Sequence, residues 1–183
     1  MATTTVSLTA QQFWSIEGLQ QPAELVRGQI VMMNSPGYQH GAVCYNICKL
    51  IGTFVDAGAL GRVVSNDSGI ITASNPDSVR GADVAYYSAE RHAIQALPKA
   101  YPSVVPTLVF EVLSPTDRWK DVLTKVAEYL NAGVDAVCVL DPEDQTARVY
   151  LAERAPLVFA AGDDLTLPGV LDGWTTRVSR FFE

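Results

Sequence analysis

The sequence predicts one α/β domain built on a mixed central sheet with helices on its faces. Two long stretches, residues 38–57 and 119–130, repeat apolar residues at three- and four-residue intervals, the mark of helices with one buried side. The second lies between two short apolar runs, 104–113 and 136–140, so a strand, a helix and a parallel strand follow in order. No repeat or linker interrupts the chain, and its 183 residues suit one domain that buries roughly two-thirds of its extended surface.

Taken in order, Thr9 is a helix cap for a short helix through about Glu17, with Phe13, Trp14 and Ile16 as its apolar contacts. Glu24–Arg27 and Ile30–Met33 flank the turn signal Gly28-Gln29 and read as a hairpin or a bulged single strand, ended by Ser35-Pro36-Gly37. Val43, Ile47, Leu50, Ile51 and Phe54 form the stripe of the first long helix. Val63-Val64 and Ile70-Ile71 read as two short strands, and the polar connector Asn75–Ser78 leads to a strand over Ala82–Tyr87. A helix is expected over about Ala89 to Gln95. After the run containing Glu111, Ser114–Asp117 supplies helix-start chemistry, and Trp119, Val122, Leu123, Val126 and Leu130 form the second stripe, stopped by Gly133. Ala136–Leu140 is an all-apolar strand. Ala147–Leu151 and Leu157–Phe159 add antiparallel strands, and Val178–Phe182 a terminal helical turn.

Composition narrows the chemistry. Hydrophobic residues make up 48% and charged residues 18%, the balance of a folded globular chain. Cys44, Cys48 and Cys138 have neither secretory nor zinc-ribbon spacing, and Met1–Thr5 has no basic or long apolar character. Reduced thiols in a cytoplasmic protein, without a membrane role, are the expectation. A net charge of -7 argues against coating nucleic acid by counterion release. A local patch of Arg27, Lys49, Arg62, Arg80, Arg118, Lys120 and Lys125 could still meet phosphates beside metal ions.

Glu111 is the first chemical candidate because it interrupts an apolar run, where an unpaired buried carboxylate costs several kcal/mol. Such a group needs a cation, a metal or a proton donor. Asp83 lies in another strand-like run, and two carboxylates from neighbouring strands could share a divalent cation.

Several fragments together resemble the Uma2-type restriction endonucleases. They are Glu24–Gly28, Ser35-Pro36 with His40, Asp83-Val84, and Glu111–Pro115. Asp121 with Lys125 and Tyr129, Gly133-Val134, Asp141-Pro142, Gly162–Leu165 and Pro168-Gly169 continue the order. The resemblance runs from about Glu24 to the carboxyl terminus. It implies a restriction-endonuclease-like domain over 24–183, of the PD-(D/E)XK type, with 1–23 as an N-terminal helical segment of the same domain. It further implies that Asp83 and Glu111 bind Mg2+ or Mn2+ while a lysine supports attack by water on a DNA phosphodiester, paired cuts suiting a homodimer.

Two positions depart from that signature. Ala82 stands where proline precedes the aspartate, and Leu113 stands where the strand lysine is expected. Lys125, on the following helix, is the substitute candidate, its plainer reading being an exposed helix pair with Asp121. Glu24 could complete the metal shell and His40 could orient water or contact phosphate. In plainer terms Glu24 pairs with Arg27 or Arg62 and His40 is a half-buried imidazole. The rival to an endonuclease is a noncatalytic nuclease-fold module for nucleic-acid binding or protein interaction.

Other motifs carry less. His40, Cys44 and Cys48 at i, i+4 and i+8 span two helical turns, too far for all three to hold one zinc ion. Ser35 and Ser114 lie in no nucleophile elbow, and Gly58–Gly61 is too short for a phosphate-binding loop. Trp14, Trp119 and Trp174 read as packing, as does Tyr129.

Overall fold

The computed structural model describes residues 7–19, 21–91 and 98–183. The first helix, α1 (Ala10–Trp14), is shorter than the expected run to Glu17 and is held by a reciprocal capping box between Thr9 and Gln12. Phe13 packs with Leu25 and Val79, fastening this segment to the sheet. Strands β1 (Ala23–Val26) and β2 (Gln29–Met32) form a hairpin rather than a bulged single strand, and α2 (Tyr38–Ala57) is the first long helix.

The two short strands expected at Val63-Val64 and Ile70-Ile71 are one long strand, β3 (Gly61–Ala73), paired throughout with β4 (Ser78–Ser88). The apparent gap is a bulge, with Asn66 at φ 70° and Asp67 at φ 52°. Asn and Asp tolerate that left-handed conformation better than bulkier residues, so the chain kinks without leaving the sheet. Of the helix expected at about 89–95, residues 89–91 form a turn and 92–95 lie outside the described residues.

Strand β5 (Leu108–Val112) runs parallel to β6 (Ala136–Asp141), with α3 (Trp119–Ala132) between them, as the spacing predicts. Gly133 ends α3 at φ 102°, a conformation open to glycine at little cost. Strands β7 (Thr146–Leu151) and β8 (Leu157–Phe159) extend the sheet antiparallel. A hairpin of β9 (Asp164–Leu167) and β10 (Leu171–Arg177) leads into a 3-10 turn at Val178–Phe181.

The main sheet has eight strands in the order β2-β1-β4-β5-β6-β7-β8, with β3 along the other edge of β4. Val43, Ile47, Ile51 and Val55 of α2 cover one face together with Leu165, Trp174 and Phe181. Val122, Val126 and Tyr129 of α3 cover the other. The α3 stripe differs from expectation. Trp119 and Leu123 are substantially exposed, and Tyr129 is fully buried in their stead. Trp119 lies under the Arg148 guanidinium, 4.4 Å from its ring centre, a cation–π contact that suits a half-exposed indole. Among the described residues, no helix is long and apolar enough to cross a membrane.

One topological detail creates the site. Because β3 takes one edge of β4 along its length, β1 and β5 must share the other. β1 meets it at Val79 and β5 at Val84–Tyr86. Residues 80–83 lie in the fork between them, where the ladder pairs no strand residue with that edge. Backbone groups there need other partners.

Candidate metal and lysine site

Side chains fill the fork. Glu24, at the start of β1, accepts the Gly81 N–H on Oε1 at 3.0 Å. The Gly81 carbonyl accepts from Lys125 Nζ at 3.0 Å and lies 3.1 Å from the Tyr129 hydroxyl. Just beyond, where β5 diverges from β4, the Val112 N–H donates to Asp83 Oδ2 at 2.6 Å. Four side chains thus stand where strand partners would otherwise be.

Glu111 faces α3 from the carboxyl end of β5, the end at which parallel strands commonly present ligand sites. Its Oε2 accepts from Lys125 Nζ at 2.8 Å and its Oε1 lies 2.9 Å from the Tyr129 hydroxyl. Lys125 Nζ also lies 3.3 Å from Glu24 Oε1, an ion pair beside its two hydrogen bonds. The plainer reading of Lys125 as a partner of Asp121 gives way to this buried arrangement. Glu24 pairs with Lys125 and Arg80, rather than with Arg27 or Arg62.

Arg80 is held by two acids. It donates to Glu24 Oε2 at 2.7 Å and grips Glu128 through Nε and Nη2, the latter at 3.0 Å. It is 8% exposed. Two members of the expected basic patch, Arg80 and Lys125, are therefore paired with carboxylates where they line the cleft.

His40 enters from α2. Its Nε2 lies 3.3 Å from Asp83 Oδ2 and its Nδ1 3.5 Å from Cys44 Sγ. The hydrogen bond to Asp83 is the main reason that its pKa is raised to about 10. Asp67, carried by the β3 bulge, lies close enough to Asp83 for the two carboxyl groups to influence each other. Desolvation, and then the Asp83 charge, raise its carboxyl above the ordinary range. Gly81 makes this approach feasible, because a Cβ there would lie 3.1 Å from the Asp67 backbone oxygen.

Burial pushes Glu111 up to about 7 despite the opposing influence of Lys125. Burial also works against the Lys125 charge, but Glu111 and Glu24 outweigh it and raise its pKa. Tyr129 is pushed well up, first by burial and then by Glu111. The lysine consequently stays an ammonium, and Glu111 is the acid on which a cation would have most effect.

Asp83, Glu111, Lys125, Glu24 and His40 all border one cleft of about 900 Å3. The residues suit a hard divalent cation. Glu24, Asp67, Asp83, Glu111 and Glu128 supply five carboxylates to the cluster against the cations Arg80, Lys125 and His40. With all of them ionised, two negative charges remain uncompensated, and oxygen donors are what Mg2+ prefers.

Sequence reasoning missed Asp67, the Arg80–Glu128 clamp and the polar contact of Tyr129. A signal for Asp67 existed in Asn66-Asp67-Ser68-Gly69, a turn-like insertion between two apolar pairs that could be read as a bulge. Tyr129 gave none, since its spacing on α3 fits simple packing.

A mixed-sheet α/β domain with a carboxylate cleft and an inward-facing lysine is thus the class defined by fold and site. The Uma2 family model, described as "Putative restriction endonuclease", matches residues 10–179, and the chain belongs to that family. The fold is similar to that of a crystal structure described as a putative nuclease belonging to DUF820 from Anabaena variabilis. The TM-score is 0.80 at 18% identity, covering 96% of this chain and 97% of that one. The comparison with curated proteins gave no match.

Proposed function

We propose that this protein is a divalent-metal-dependent endonuclease hydrolysing DNA phosphodiester bonds, with Asp83 and Glu111 as metal ligands and Lys125 as the catalytic cation. The observation that carries the reading is the Lys125 ammonium, 2.8 Å from Glu111. It comes from α3, in a chain whose Leu113, just past β5, carries no charge. Family membership supports hydrolysis of nucleic acid, and the excess of carboxylates supports a metal.

When bound, magnesium supplies Lewis acidity toward a phosphate oxygen and makes a coordinated water more acidic. The chain does the rest. Asp83 is fixed by the Val112 N–H and Glu111 by Lys125 and Tyr129, so both carboxylates are oriented before a ligand arrives. Lys125 keeps its proton and faces the charge that develops on the phosphoryl oxygens. Glu24 and Arg80 hold Lys125 in position, and His40, beside Asp83, orients water or contacts phosphate by giving up one of its present contacts. Residues 1–23 act as part of the same unit, in a cytoplasmic protein whose paired cuts on duplex DNA suit a homodimer.

Cleavage of single-stranded, duplex and structured substrates with Mg2+ or Mn2+, comparing wild type with Glu111→Ala, tests this reading. Metal-dependent cleavage lost in Glu111→Ala is expected. Nucleic-acid binding without cleavage under any of these conditions would favour a noncatalytic module.

A further inference from the structure

We propose a second metal site, formed by His40, Cys44 and Asp83, that takes a thiophilic divalent ion such as Zn2+. His40 and Cys44 occupy successive turns of α2, so their side chains lie on one side of the helix. Asp83 faces them from β4. One ligand atom from each lies within 4.8 Å of the other two. The His40–Asp83 and His40–Cys44 contacts are 3.3 and 3.5 Å.

Tetrahedral zinc with ordinary bond lengths places such ligand atoms about 3.3–3.6 Å apart, so closing the site takes about an ångström of side-chain movement. His40 gives up one of its two present contacts, because a single ring nitrogen ligates. Binding displaces one proton from the imidazolium and one from the thiol, leaving neutral imidazole, thiolate and carboxylate around the ion. The fourth position stays open to water.

The donors sort the ions. A thiolate and an imidazole favour zinc, cobalt and cadmium, whereas magnesium takes the oxygens. Cys48, one turn farther along α2, is replaced as the third ligand by Asp83 from a strand far away in sequence. Asp83 would thereby be shared between this site and the carboxylate pair. Zinc occupancy draws it from Glu111 and weakens magnesium binding.

Titration of Co2+ into the full chain, followed by its thiolate charge-transfer and tetrahedral d–d absorption, tests the site without reference to activity. Wild type, Cys48→Ser and Glu111→Gln should each develop the bands at one equivalent, and Cys44→Ser should lose the charge-transfer band. Because both ions need Asp83, excess Mg2+ should lower the apparent cobalt affinity without removing the bands at saturating Co2+. Absence of the bands in wild type, their persistence in Cys44→Ser, or their loss in Cys48→Ser would overturn the proposal. Glu111→Gln separates the two sites, since failure of the magnesium reading leaves its cobalt spectrum unaltered.

Discussion

At the scale of single residues, Lys125 and Glu111 carry opposite sensitivities. Removing the Lys125 charge while keeping its length, as in Lys125→Met, should lower the cleavage rate by on the order of 10²- to 10³-fold, the cost of losing one transition-state donor. Single-turnover kinetics at saturating metal would read it, and a rate within twofold of wild type would remove Lys125 from catalysis. Glu111 sets a pH dependence. Its carboxyl is raised from 4.5 to about 7 in the metal-free protein, so the folded state binds a proton more tightly than the unfolded chain. The stability contributed by that proton is present below the unfolded value and is lost as pH rises through about 7. A cation entering below pH 7 must expel it. Magnesium affinity should rise by up to about tenfold per pH unit toward 7 and then level off. Calorimetry in buffers of differing ionisation heat checks this, and affinity independent of pH would contradict it.

At the scale of elements, the fork in β4 explains why the site is polar in an apolar sheet. Tyr129 links α3 to that fork through Glu111 and Gly81, and Tyr129→Phe removes the link without opening a cavity. The expected loss is about 1–3 kcal/mol in urea unfolding, because the buried groups lose a partner. Gly81→Val should push away the β3 bulge that carries Asp67, at a cost of about 1–3 kcal/mol for overpacking. The long helices were legible because apolar periodicity persists over many turns, and the β5-α3-β6 unit because its strands are apolar but for Glu111 and Asp141. β3 was misread as two strands because a bulge and a turn share the residues Asn and Asp. The polar tip of Tyr129 and the exposure of Trp119 depend on partners, Glu111 and Arg148, that sequence spacing does not reveal. Glu111 stood out because charge is costly in an apolar run, Asp83 as its possible companion and a match to the resembled family, and Lys125 as the substitute for the lysine that the family signature expects at Leu113. The fork that joins them is a property of strand order alone.

For the molecule as a whole, the site is a network of opposed charges anchored in the fold. Arg80 ties Glu24 of β1 to Glu128 of α3, and Lys125, also of α3, ties Glu24 to Glu111 of β5. Arg80→Met would leave two acids without that partner and should destabilise the protein by about 3–5 kcal/mol, read by denaturant unfolding. The remaining negative charge, in a chain of net charge -7, repels a phosphate until a cation is present. Calorimetric titration of Mg2+ into wild type, Asp83→Asn and Glu111→Gln, each shown to be folded by circular dichroism, is the most direct test of that dependence. One magnesium site in wild type, lost in both variants, is the expected result. Magnesium binding in both variants with wild-type affinity would contradict it.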